Sequence, residues 1–305
     1  MLFGMRRTRG IIEDSLATDP RTMSSSPYTL VLQAPLLSAS PLAAVAELSG
    51  TTDIERVSDS VARLHGVDPA RRADIVAYCE QHGLDAAFVP SGRRFADFGL
   101  VVSDMDSTLI TIECIDEIAD MVGVKHLVAE VTERSMRGEL DFTASLKERV
   151  ALLAGLEESA LETVYRERVR LTPGADTLLA ACKANGVRFM LVSGGFTFFT
   201  ERLKAELGLD YAFANVLEVA DGKLTGRVKG DIVDANAKAR LLMEVRQELG
   251  LAPDQVIAMG DGANDLKMLA EAGLGVAYKA KPVVRAQADV ALNHVGLEGV
   301  VNLFA

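Results

Sequence analysis

The sequence predicts an α/β fold: a doubly wound parallel sheet with a helical insertion, preceded by a small α/β unit. Three observations carry this reading. From Leu100 onward, short apolar runs bounded by turn residues alternate with amphipathic segments, which is the pattern of βα units around a parallel sheet. After the first of these runs, a stretch over about 113–170 shows helical spacing with few strand signals. Ahead of Pro90-Ser91-Gly92-Arg93-Arg94, which reads as a linker, lies a separate short set of strands and helices with no catalytic cluster. The domain reading is therefore a leader over 1–26, a small α/β unit over 27–92, and a main domain over 93–305.

Length and composition bound the function. A chain of 305 residues is long enough for two domains of about 150 residues each. The formal charge of −11 argues against nucleic acid or an anionic membrane as the main partner, while leaving room for an anionic small substrate held by a few local cations. No stretch approaches the ~20 consecutive apolar residues of a membrane span. Cys79, Cys114 and Cys182 are scattered and form no CxxC pair, which suits a reducing, cytoplasmic setting. Met1 to Met23 carries Arg6, Arg7 and Arg9 but no apolar core, so it is not a secretory signal and reads as a disordered leader. Patterned sequence begins only near Tyr28, which makes Met23 a second candidate start.

In the small unit, Tyr28 to Leu32 reads as a strand, Leu42 to Leu48 as a helix, Ile54 to Val57 as a second strand, Ala70 to Cys79 as a helix and Leu84 to Val89 as a strand. His65 and His82 lack a cysteine or histidine partner at metal spacing. In the main domain the insertion reads as about four helices broken at Gly138 and Gly155. A helix from Ala175 to Asn185 closes at Gly186, a C′ glycine. Val187 to Val192 forms the next strand, and a helix follows from Phe196 to Leu207. Asp221-Gly222 between alternating flanks signals a hairpin. Asn236 to Leu249 is a helix, Val256 to Met259 a strand, and Leu274 to Ala277 and Val290 to Leu292 finish the sheet.

The chemistry sits at strand ends. Phe98-Gly99-Leu100-Val101-Val102-Ser103 discharges into Asp104-Met105-Asp106-Ser107-Thr108. Two carboxylates one residue apart at the carboxyl end of a parallel strand face the ligand crevice of such folds. They repel unless a cation or shared proton relieves them. Taken alone, Asp-x-Asp-Ser-Thr is also good helix-cap chemistry. The other strand ends decide between the two readings: Ser193-Gly194-Gly195 follows the second strand, Lys238 opens the helix after the hairpin, and Asp261, Asn264 and Asp265 follow a third strand. Asp104, Asp261 and a main-chain carbonyl are hard oxygen donors of the kind Mg²⁺ prefers. Ser193 with the N–H groups of Gly194 and Gly195, opening a helix, can hold phosphate oxygens, and Lys238 adds a point charge. An aspartate beside that phosphorus can act as nucleophile, and the second can carry the proton.

These four elements, in this order, resemble the haloacid dehalogenase superfamily of aspartate-based phosphohydrolases, with its Rossmann-like core. Asp104-Met105-Asp106-Ser107-Thr108, Ile112-Glu113-Cys114-Ile115-Asp116-Glu117, Val192-Ser193-Gly194-Gly195-Phe196, Tyr211-Ala212-Phe213-Ala214-Asn215 and Gly260-Asp261-Gly262-Ala263-Asn264-Asp265 resemble its phosphoserine phosphatase family over about two thirds of the chain. The resemblance implies Asp104 as nucleophile through an aspartyl-phosphate, and Asp106 as general acid/base. It implies Mg²⁺ on the Asp104 carboxylate, the Asp106 carbonyl and Asp261, with Thr108 and Asp265 supporting. Ser193, Gly194, Lys238 and Asn264 would hold the phosphoryl group. Glu113 would face the substrate's ammonium and Arg149 its carboxylate, a grip guanidinium geometry suits. Met136 and Phe142 match cap residues that shield the pocket, and the insertion would be the closing cap.

The implied reaction is Mg²⁺-dependent hydrolysis of O-phospho-L-serine to serine and phosphate, the last step of serine synthesis by that route. Two alternatives remain at this stage: a phosphatase for another small phosphomonoester, and an amino-acid-sensing protein with an inert main domain. The Glu113/Arg149 pair and the complete catalytic set weigh against them. For the amino-terminal unit three roles stay open: binding serine, forming a homodimer, or packing against the main domain.

Overall fold

The computed structural model describes residues 27–304. The leader and the Met23 start fall outside them. The amino-terminal unit runs β1 (Tyr28–Gln33), α1 (Ala39–Ser49), β2 (Ile54–Arg56), β3 (Val61–Leu64), α2 (Arg72–Gln81) and β4 (Asp85–Pro90). Its sheet has the order β2-β3-β1-β4 and is antiparallel throughout, the ferredoxin-like βαββαβ arrangement. Strand β3 has no counterpart in the sequence reading. Its four residues, Val-Ala-Arg-Leu, are too few to show a period.

Both faces of this sheet are covered. Leu30, Leu32, Ala62, Leu64 and Phe88 pack with the helices, while Val31, Val61, Ala87 and Val89 join a cluster that includes Phe95, Phe98 and Phe304. The unit is thus pressed onto the main domain. Polar bonds fix the joint: Gln33 Nε2 donates to the Gly299 carbonyl at 2.9 Å, and Asp85 accepts from the N–H groups of Asn293, His294 and Val295 at 2.7–3.1 Å. The segment read as a linker is itself held, with the Arg93 guanidinium 4.5 Å over the Phe98 ring and 3.5 Å from Asp254.

The main domain continues with β5 (Leu100–Ser103) and four insertion helices: α3 (Cys114–Met121), α4 (Lys125–Met136), α5 (Phe142–Ala151) and α6 (Ser159–Arg168). Then follow α7 (Ala175–Asn185), β6 (Arg188–Phe196), α8 (Thr197–Leu207), β7 (Tyr211–Ala220), β8 (Lys223–Lys229) and α9 (Ala235–Glu248). The chain ends with β9 (Val256–Gly260), α10 (Leu266–Ala270), β10 (Leu274–Tyr278), α11 (Pro282–Arg285), β11 (Val290–Leu292) and α12 (Glu298–Asn302). The sheet order is β11-β10-β9-β5-β6-β7-β8. It is parallel except for β8, which pairs antiparallel with β7 through a turn with Asp221 and Gly222 both at positive φ, the hairpin form that Asp-Gly favours. Along β5, Leu100 and Val102 enter one core and Val101 the other, which is why the strand reads as an unbroken apolar run.

Strand β5 lies at the centre of the sheet, between β6 and β9. Its last residue, Ser103, is in register with Leu191 on one side and Met259 on the other. The residues just beyond Ser103, Leu191 and Met259 therefore emerge at one level. At the root of the insertion, Ile110 bridges Leu171, Thr111 N–H donates to Arg170 O and Thr172 N–H to Leu109 O, both at 3.0 Å. The cap's two connections are thereby laced together as they leave the sheet.

Candidate active site

Asp104 is the residue after β5, and its N–H donates to the Met259 carbonyl at 3.0 Å. The chain then makes a wide turn in which Leu109 and Ile110 N–H donate five residues back, to Asp104 O at 3.3 Å and Met105 O at 3.0 Å. This turn brings Asp106 to the same cavity as Asp104. Asp106 Oδ1 accepts from the Cys114 N–H at 3.0 Å, in the first turn of α3. Ser107 sits at φ 55°, where its hydroxyl donates to Glu113 at 2.7 Å. Sequence reasoning missed this support for Glu113; an outward Ser in a tight turn carries no pattern signal.

Lys238 is fully buried in the first turns of α9. Its Nζ lies 2.9 Å from Asp104 Oδ1 and donates to Asp265 Oδ1 at 2.7 Å. Asp265 Oδ2 also accepts from the Gly262 N–H at 3.0 Å. Thr108, fully buried, reaches Asp261 at 3.5 Å. Ser193 is buried in the end of β6, with its Oγ accepting from Gly195 N–H at 2.8 Å.

Here the structure corrects the sequence. Gly194 and Gly195 do not open a helix. They belong to the extended end of β6, where the pairing to β7 shifts register between Val192 and Phe196, and α8 begins at Thr197. A Cβ on Gly195 would lie 2.8 Å from Asp106 Oδ2, so glycine lets this strand pass close to Asp106. Asn215 holds the arrangement from behind: Nδ2 donates to Gly194 O and Oδ1 accepts from Val233 N–H, both at 2.8 Å. Asn215 is buried in β7. A lone buried asparagine in an apolar strand was the signal that could have found it.

A cavity of about 740 Å³ opens over these strand ends. Asp104, Asp106, Gly194, Asp261, Asn264 and Lys281 face it from the core, and Glu113, Asp116, Met136, Phe142 and Arg149 from the cap. Ser193 and Lys238 stand behind that wall, fully buried. Phe142 reaches across to the core, where a Cβ on Gly194 would meet its ring at 2.8 Å. Met136 is 70% exposed, so its helical spacing does not mark a core position. Arg149 is half-buried, with its Nε 3.4 Å from Ser145 O. Burial lowers its pKa, and Asp116, Glu113 and Asp106 act in the opposite sense.

The electrostatics ask for positive charge. Burial, then Asp265, pushes the Asp104 carboxyl well above the usual range, with Lys238 opposing. Burial, then Glu113, raises Asp106 to about 7, and burial, then Asp265, raises Asp261 to about 6. Burial alone would lower the Lys238 ammonium, but Asp104 and Asp265 outweigh it and hold the ammonium protonated. Oxygens of Asp104, Asp261 and Asp265 all lie within 4.8 Å of one another. Three carboxylates against one buried ammonium form an electron-rich, all-oxygen donor set that fits a hard divalent cation. The cluster brings in Asp265 beside Asp104 and Asp261. The Asp106 side chain turns instead to Cys114.

A profile of the haloacid dehalogenase-like hydrolases matches residues 101–270. The chain belongs to that family. A domain family of unknown function matches residues 30–75. A phosphoserine phosphatase from Polaromonas sp. is 55% identical over 69% of this chain and 91% of its own length. Among solved hydrolases of the family, one from Salmonella enterica serovar Typhi superimposes with a TM-score of 0.83 at 32% identity, covering 91% of this chain and 98% of that one. A substrate-bound phosphoserine phosphatase structure matches with a TM-score of 0.64 at 39% identity, over 68% of this chain and 99% of that one. No helix among the described residues is long and apolar enough to cross a membrane.

Proposed function

We propose that this haloacid dehalogenase-like hydrolase is a phosphoserine phosphatase, hydrolysing O-phospho-L-serine to L-serine and phosphate. The observation that carries the reading is the pair of aspartates just after β5 sharing one cavity with Glu113 and Arg149. Relatives about half identical that are themselves phosphoserine phosphatases support it.

Asp104 is the nucleophile. Its carboxylate attacks phosphorus, the bond to the serine oxygen breaks, and the Asp106 proton passes to that leaving oxygen. Asp106, raised to about 7, holds such a proton near neutral pH. In the second step Asp106 takes a proton from water as that water attacks the aspartyl-phosphate, which frees phosphate and restores Asp104. Lys238 holds Asp104 in place and, with Ser193, Gly194 and Asn264, supports the phosphoryl group. Glu113 takes the substrate ammonium and Arg149 its carboxylate. Phe142 and Met136 cover the bound substrate. Mg²⁺ held by Asp104, the Asp106 carbonyl and Asp261, with Thr108 and Asp265 supporting, would supply positive charge to the phosphoryl oxygens.

The small unit over 27–92 is read as a docked accessory of the domain over 93–305, and a cytoplasmic setting suits three cysteines that are all free and buried. The test is steady-state phosphate release from phosphoserine, phosphothreonine and a sugar phosphate, with Mg²⁺ and with excess EDTA. Phosphoserine with Mg²⁺ should lead by a wide margin; a sugar phosphate turned over as well as phosphoserine would remove the substrate assignment.

A further inference from the structure

The cavity wall carries five carboxylates, Asp104, Asp106, Glu113, Asp116 and Asp261, and two cations, Arg149 and Lys281. A phosphate monoester is a dianion at neutral pH, and each of these carboxyls repels it whenever it is ionised. Lys238 cannot meet the incoming charge at the mouth, because it is sealed behind the wall and bonded to two carboxylates. Arg149 lies on the cap, with Glu113 and Asp116 acting on its charge.

Lys281 is placed differently. It is exposed, and among the described residues it has no ion-pair partner. Its charge acts on Asp261, where it opposes the rise of that carboxyl. Its backbone is fixed without help from the side chain: its N–H donates to Asp261 O at 3.2 Å, and its carbonyl accepts from Val284 and Arg285 N–H at 2.9 and 3.1 Å. Pro282, which follows, opens α11. The loop thus holds an uncommitted ammonium beside Asp261 on the core side of the cavity.

We propose that Lys281 is the outer phosphate-binding cation of this site, drawing the phosphoryl dianion past Asp261 on entry and holding inorganic phosphate on its way out. This rests on the phosphoryl-transfer reading, and it does not depend on which alcohol carries the phosphate. An exposed cation lining an acidic cavity acts on capture, so it changes kcat/KM by roughly 10-fold while leaving the chemical step alone.

The test compares wild type, Lys281→Met and Lys281→Arg on phosphoserine and on p-nitrophenyl phosphate across ionic strength, with calorimetric titration of inorganic phosphate alongside. For Lys281→Met the expected result is a KM raised about 10-fold for both substrates, a kcat within about twofold, weaker phosphate binding and a flatter salt dependence of kcat/KM. Lys281→Arg should restore most of the loss. Unchanged KM and phosphate affinity would overturn the proposal. So would a fall in kcat at constant KM, which would mean that Lys281 acts through Asp261. If wild type turns over p-nitrophenyl phosphate but not phosphoserine, the substrate reading fails, and Lys281 is judged on p-nitrophenyl phosphate and phosphate binding alone.

Discussion

The Lys238 ammonium lies 2.9 Å from Asp104 and 2.7 Å from Asp265 with no exposure to solvent. A buried charge pair of this kind contributes little net stability while intact, but removing one partner strands the other. Lys238→Met should therefore lower the unfolding free energy by about 3–5 kcal/mol and abolish turnover, because two buried carboxylates lose their shared counter-charge. Denaturant melts of the metal-free protein measure this directly. A variant as stable as wild type would show that the pair is solvated in solution.

Asp106 is raised to about 7 by burial and Glu113, and its role as proton donor predicts a dependence on the leaving group. Asp106→Asn should slow phosphoserine hydrolysis by about 10²–10⁴-fold, because serine leaves as a strongly basic alkoxide without a proton. Formation of the phospho-enzyme from p-nitrophenyl phosphate should suffer far less. Rapid-quench measurement of the p-nitrophenol burst separates the two. Equal losses on both substrates would assign Asp106 a structural role only.

The raised carboxyls also set a pH dependence of stability. With folded values about 7 for Asp106 and about 6 for Asp261, the folded protein keeps protons that the unfolded chain has already lost. The contribution is fully present below the unfolded carboxyl range and is lost as pH rises through 6 to 7. On this ground the metal-free protein should melt at a lower temperature at pH 8 than at pH 5.5. Added Mg²⁺ should raise Tm more at pH 8, where it meets ionised ligands, than at pH 5.5. A larger metal shift at the lower pH would contradict the assignment of the Asp104 and Asp261 carboxylates as its ligands.

Arg149 faces the cavity from α5 with Asp116, Glu113 and Asp106 acting on its charge. If it grips the substrate carboxylate, Arg149→Ala should cost about 2 kcal/mol or more in binding phosphoserine, as loss of a charge-assisted bond does. It should leave p-nitrophenyl phosphate, which has no carboxylate, nearly unaffected. The ratio of kcat/KM values for the two substrates is the readout, and an unchanged ratio would take Arg149 out of amino-acid recognition.

Much of this was legible because the signals are local. Asp104 and Asp106 stand one residue apart, Gly186 closes α7 in the left-handed region, and Asp221-Gly222 turns the hairpin. What was hidden depends on residues far apart in sequence. Asn215 matters through Gly194 and Val233. Asp85 matters through three N–H groups more than 200 positions away, so the docking of the small unit left no trace in its own pattern. The misreading of Gly194 and Gly195 has the same origin. A strand bulge and a helix start both use consecutive glycines, and only the pairing with β7 distinguishes them.

The central claim is that phosphate passes through Asp104. Rapid acid quench of the Mg²⁺-loaded protein with phosphate-labelled phosphoserine, followed by peptide mapping, tests it most directly. The predicted result is an acid-stable, hydroxylamine-labile phosphoryl group on the peptide carrying Asp104, absent from Asp104→Asn along with turnover. Phosphate release at full rate from Asp104→Asn would contradict the account.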